Sequence, residues 1–150
     1  VTGAFSHGGI PPDRLETAGR WLEEHSEAGD IVFNVRWFEF SPLFFWNQKN
    51  FYVGGLDPIF QYAYDPGLYW RCHHLSGKDS VAFTCGVPVC RDGTREDTYG
   101  ALVKDFKARY VVVGKRLNPE LYQFFAGDRR FEQTVDTPRE AVFRILSGRP

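Results

Sequence analysis

Apolar positions follow two different periods along the chain. Leu15, Ala18, Trp21, Leu22 and His25 recur at three- and four-residue steps, which predicts a helix with Asp13 as N-cap, Glu16 in its first turn and Gly29 as its stop. IVFNV (31–35), FYVGG (51–55) and YVVVG (110–114) are short, continuous and rich in β-branched or aromatic residues, the pattern of strands covered on both faces. Between the first two, Ser41-Pro42 starts a short aromatic helix. Asp57-Pro58 and Asp65-Pro66 each set a capping acid before a proline suited to a first helical turn, predicting two short helices. Residues 78–93 read as a loop or irregular hairpin. Thr94 then caps a further helix, with Tyr99, Leu102, Val103, Phe106 and Tyr110 at helical spacing. Pro119 and Gly127 bracket another short helix. RFEQTVD (130–136) and EAVFRIL (140–146) alternate around Thr137-Pro138-Arg139 and predict an antiparallel hairpin.

Helices alternating with buried strands imply parallel pairing. The expected architecture over 1–150 is therefore a single α/β domain. It is a three-layer sandwich with a mainly parallel central sheet and a C-terminal antiparallel hairpin, preceded by an irregular lead-in over 1–12 and interrupted by the 78–93 loop.

Composition narrows the function. Hydrophobic residues at 43% and charged residues at 25% exclude a disordered chain. Eighteen basic against 19 acidic residues leave no cationic surplus for displacing counterions, so no nucleic-acid partner is expected. No run reaches the roughly 18 apolar residues of a membrane span, so the piece reads as soluble. The chain begins at Val1 and contains no Met, and we expect it to be cut from a longer protein. Aromatic residues reach 17%, enough both to fill a core and to leave rings for a sugar or a membrane interface.

In an open parallel sheet, ligands lie beyond the carboxyl ends of the strands. Those ends carry Arg36–Glu39, Gly54–Asp57 and Gly114–Arg116. The candidate binding residues are accordingly Arg36, Trp37, Glu39, Asp57 and Lys115: rings stack on sugar faces and acids accept hydroxyl hydrogens. The plainer alternative is a helix cap at Asp57, glycines serving turns and solvated bases. Glu39 and Asp57 would suit a two-carboxylate hydrolase only at a separation that chain spacing leaves open. Cys72-His73-His74 has the residue types of a metal site to which Cys85 and Cys90 could contribute, but adjacent histidines diverge on a helix and no C-x-x-C pair exists. GGLDP lacks the G-x-G-x-x-G spacing, and no G-x-S-x-G occurs. No catalytic residue, metal or cofactor is expected.

Three cysteines permit at most one intrachain disulfide. Cys85 and Cys90 flank Gly86-Val87-Pro88-Val89, which can turn back on itself, while Cys72 lies among apolar neighbours and reads as a buried thiol. The alternative is three free thiols in a reducing compartment.

The order of WLEE, GDIVFNVRWFEFSPLFFWNQKNFYVGGLDPIF, DPGLYW, ARYVVVG and a closing hairpin resembles the C-terminal domain of bacterial multi-spanning membrane glycosyltransferases of the GT-C superfamily. The likeness runs over about 13–77 and 105–146, and SPLFFWNQKNFYVGGLDP (41–58) is its most telling stretch. It implies a domain on the outer, periplasmic or extracellular, face of the cytoplasmic membrane. There it would be joined to an upstream transmembrane region and help recognise a polyprenyl-linked sugar or an acceptor, with the catalytic acid upstream. The layout is also similar to oligosaccharyltransferase catalytic subunits. Their Trp-Trp-Asp-Tyr-Gly place reads Val35-Arg36-Trp37-Phe38-Glu39-Phe40 here, which matches one Trp and one acid and carries no acceptor-sequence role across. The alternative class is a self-contained carbohydrate or small-molecule binding module, or an enzyme of another kind.

Overall fold

The computed structural model describes residues 11, 13–55, 57–77 and 81–147. Of the expected lead-in over 1–12 only Pro11 is among them, and the first residues of the 78–93 loop also lie outside. The elements are α1 (Glu16–His25), β1 (Ile31–Asn34), a 3-10 turn (Trp37–Glu39) running into α2 (Phe40–Trp46), β2 (Phe51–Tyr52), α3 (Pro58–Tyr64), α4 (Pro66–Ser76), β3 (Phe83–Thr84), β4 (Glu96–Asp97), α5 (Thr98–Lys104), β5 (Tyr110–Gly114), α6 (Pro119–Gly127), β6 (Phe131–Asp136) and β7 (Glu140–Ile145).

The fold is α/β. Five strands form one sheet in the order β2-β1-β5-β7-β6, and β3 and β4 form a separate two-stranded sheet. β1 pairs in parallel with both β2 and β5, with Ile31 opposite Phe51 and Val32 opposite Tyr110. β7 lies antiparallel between β5 and β6, so the C-terminal hairpin extends the parallel strands at one side.

Side chains alternate across a strand, and each face of the sheet gathers its own core. Val32, Val112 and Val142 pack with Leu15, Ala18 and Leu22 of the α1 region and Leu43 of α2. Phe33, Val111, Val113 and Phe143 pack on the other face with Leu75, Leu102, Leu121 and Phe125. Both clusters are almost completely shielded from solvent, which explains why β1 and β5 read as continuous apolar runs.

Three local expectations need correction. Asp13 does not cap α1. The chain turns through Leu15 in a left-handed conformation (φ 59°), α1 starts at Glu16, and Asp13 pairs instead with Arg139. The strain at Leu15 is tolerated because its side chain is buried in the core. Thr94 closes a turn on the backbone of Arg91, and Asp97 caps α5 by accepting the Gly100 N–H. That helix stops at Lys104, since Lys107 (φ 53°) redirects the chain into β5, which takes Tyr110. β2 is not a buried strand: it is the sheet edge, and Phe51 is 68% exposed. Within 78–93, Phe83 and Thr84 form β3, which pairs antiparallel with β4 as one arm of an irregular hairpin.

The proline starts hold. Asp57 accepts from Ile59 N–H and Asp65 from Leu68 N–H, each followed by the predicted proline. A buried polar knot joins α1 to the α2–β2 turn. Ser26 Oγ and Asn47 Nδ2 both donate to Asn50 Oδ1, Asn50 Nδ2 donates to the Glu27 carbonyl, and the Tyr52 hydroxyl donates to the Asn47 carbonyl.

Candidate functional site

Parallel register brings the carboxyl ends of β2, β1 and β5 to one edge of the sheet. Asn34 organises that edge. Its amide donates to the Gly54 and Arg36 carbonyls at 3.0 and 3.1 Å and accepts the Gly54 N–H at 3.0 Å, which continues the β1–β2 ladder past β2. Gly54 approaches so closely that a Cβ there would sit 3.3 Å from Trp37 Cα. The 3-10 turn is thereby pressed over the strand ends, and Trp37 stands half in solvent (50%).

Beside this edge lies a cleft of about 860 Å³ lined by β2, α3 and α4. Its floor includes Val35, Val53 and Phe106. Its walls carry Trp37, Phe51, Phe60, Tyr64 and Tyr69, with Tyr64 88% exposed at the rim. Its polar lining comprises Arg36, Asp57, Gln61, His73, Ser76 and Asp105. The size and the mix of rings with a few polar groups are those of a small-molecule or short-oligomer site. Ring faces offer stacking platforms, and the carboxylates, the guanidinium and the phenols offer hydrogen bonds.

The five sequence-predicted residues separate. Arg36, Trp37 and Asp57 line the cleft together. The Arg36 guanidinium is oriented by Nε donating to Asn118 Oδ1 at 3.0 Å, and Asn118 is anchored to the Gly114 carbonyl. Asp57 also carries its capping duty. Glu39 does not reach the cleft. It is fully buried beneath the edge, accepting the Arg36 N–H at 3.2 Å, with Oε1 lodged where any Cβ on Gly114 would be 2.7 Å away. Loss of hydration pushes its carboxyl from 4.5 up to about 7, against the pull of Arg14, 3.6 Å away, and Arg36. At that distance Arg14 makes no hydrogen bond, so Oε1 is held by charge alone. Lys115 turns to the hairpin side, pairing with Asp136 over the Tyr122 ring. Glu39 and Asp57 therefore do not face one space, and a two-carboxylate mechanism has no geometry here.

The far wall was not foreseen from the sequence. Phe60, Tyr64, Tyr69 and His73 come from α3 and α4, and their one legible signal is the pair of Asp-Pro caps heading aromatic helices. About half of the chain's aromatic residues fall between 37 and 70, and this cleft is where several of them converge.

Cys85 and Cys90 form a disulfide, a bond that persists in oxidising compartments. Cys72 is free, and burial pushes its thiol up to about 12. Among the described residues no helix is long and apolar enough to cross a membrane. Compared with known proteins, the chain matches no family profile, no curated protein and no solved structure.

Proposed function

We propose that this chain is the extracytoplasmic recognition domain of a multi-spanning membrane glycosyltransferase-like protein, holding a sugar or acceptor in the cleft between β2 and α4. The observation that carries the reading is the cleft itself. Rings from three separate elements, Trp37, Phe51 and Tyr64, share one space with Arg36 and Asp57 at the carboxyl edge of a parallel sheet. The sequence likeness over 41–58 supports the membrane-transferase context, and the Cys85–Cys90 bond supports the outer face. The domain binds and orients its ligand, and bond making belongs to the upstream transmembrane region.

Titration of the chain with mono- and oligosaccharides, short peptides and a short-chain polyprenyl phosphate sugar, followed by amide NMR, tests this. Shifts should centre on Arg36, Trp37, Asp57 and Tyr64, and Trp37→Ala should weaken binding by about tenfold, the effect of one lost stacking ring. Shifts confined to the 131–145 hairpin would place the ligand elsewhere. No shift with any of the three ligand classes would remove the recognition role.

A further inference from the structure

The loop between the two bonded cysteines is seated on α4 by contacts that do not involve sulfur. Thr84 Oγ1 donates to the Arg71 carbonyl at 2.8 Å, just before Cys85. Gly86 lies against the Arg71 guanidinium, where a Cβ would meet Nη1 at 2.8 Å, and Arg71 is itself fixed by Glu96 and Asp105. One helical turn further on, His74 Nε2 meets the Val87 carbonyl at 2.8 Å. The β3–β4 pairing holds the entrance to the loop. His74 is thereby brought against the two sulfurs, and donor atoms of His74, Cys85 and Cys90 all lie within 4.8 Å of one another.

We propose that these three residues form a redox-gated site for a borderline-soft divalent cation such as Zn²⁺, closed while the disulfide stands and open once it is reduced. Two thiolates and an imidazole are ligands such ions prefer, and a tetrahedral site needs donors roughly 3.5 Å apart. Side-chain rotation brings the present cluster to that spacing, with His74 giving up its contact to the Val87 carbonyl, while the backbone stays docked through Thr84 and Arg71. Cys85 is buried and Cys90 and His74 are half-buried, so the fourth position is open to water. A dithiol reductant opens the site: two electrons and two protons pass to the Cys85–Cys90 bond, giving two thiols and leaving the reductant as its own disulfide. The cation then displaces both thiol protons to solvent. Cystine and metal are alternative staples for one loop, selected by the redox state of the surroundings.

The test is Co²⁺ titration of the 150-residue chain. It is done oxidised, and again after reduction with dithiothreitol and its removal under argon, reading thiolate charge-transfer and d–d absorption. One Co²⁺ per reduced chain and none per oxidised chain are expected. His74→Ala should weaken Co²⁺ binding by about tenfold or more, at least the loss seen when a mere outer-shell partner is removed. Cys72→Ala should leave it unchanged. Equal binding by oxidised and reduced chains, no effect of His74→Ala, or loss with Cys72→Ala would overturn the assignment. So would circular dichroism showing that the reduced chain has unfolded before metal is added, since the site depends on a loop still seated on α4.

Discussion

Glu140, at the start of β7, accepts the backbone N–H of Ala18 at 3.0 Å and so caps α1 from 122 residues away. No side chain next to α1 does this, because Leu15 occupies the capping position. The carboxylate is buried, and burial raises its pKa against the pull of the Ala18 amide. Glu140→Ala leaves a buried donor unpaired, which costs about 1–3 kcal/mol. For a chain of this length that lowers Tm by roughly 2–4 °C per kcal/mol. Glu140→Gln keeps an acceptor oxygen and should lose much less. Thermal melts of the two variants check this. Equal losses would mean that Glu140 acts through its charge and not as a cap.

Glu39 sets a pH dependence. Its carboxyl stands at about 7 in the folded chain against 4.5 when solvated, so the folded state holds the proton more tightly than the unfolded one. Its favourable contribution is full below pH 4.5 and is lost as pH rises through 7. The span corresponds to about 3 kcal/mol. Glu39→Gln keeps an acceptor for the Arg36 N–H and cannot ionise. In urea titrations the variant should overtake wild type between pH 5 and 8 by an amount of that order. A wild-type minus variant difference that stays flat over this interval would show that Arg14 fully compensates the buried charge.

Two helical glycines should respond in opposite directions to alanine. A Cβ on Gly19 would lie 2.5 Å from Trp46 Cβ, which is fixed close to the α2 backbone, so α1 and α2 must separate. Overpacking of this kind costs about 1–3 kcal/mol and outweighs the gain in helix propensity. Gly100, in α5, has nothing within 4 Å of an added Cβ and keeps its N–H on Asp97. Gly100→Ala should stabilise by up to about 1 kcal/mol. Equilibrium unfolding in urea separates the two, and a destabilised Gly100→Ala would contradict the open space at that position.

What the chain discloses locally, and what it withholds, follows from the range of the interactions. β1 and β5 are legible because both faces are covered, which forces apolar side chains at consecutive positions. The Asp57 and Asp65 helix starts are legible because cap and proline are neighbours in sequence. The helix α1 is legible from its apolar stripe but its cap is not, because the cap is Glu140 and nothing near Asp13 signals a partner on β7. Arg36, Trp37 and Asp57 could be grouped because strand ends in a parallel sheet converge whatever lies between them. Glu39 and Lys115 sit at the same strand ends, yet the Arg36 N–H and the space left by Gly114 hold Glu39 beneath the sheet edge, and Asp136 draws Lys115 to the hairpin. Such choices of side are made by tertiary partners and leave no periodic trace.

The disulfide can be judged by chemistry alone. With Cys85 and Cys90 joined and Cys72 free, the unfolded, non-reduced chain should expose one reactive thiol. In the native chain that thiol should be nearly inert, because burial holds Cys72 up to about 12 and so leaves it protonated at neutral pH. Reagent added to native protein should thus react slowly, then take up one equivalent on denaturation and three only after reduction. Closing so short a loop contributes about 2 kcal/mol in the chain-entropy view. Replacing Cys85 and Cys90 together with alanine should lower the urea midpoint accordingly. The slope should change little, since a short loop adds little surface to the unfolded state. Three equivalents from the non-reduced unfolded chain would remove the bond and, with it, the support it gives to an oxidising compartment.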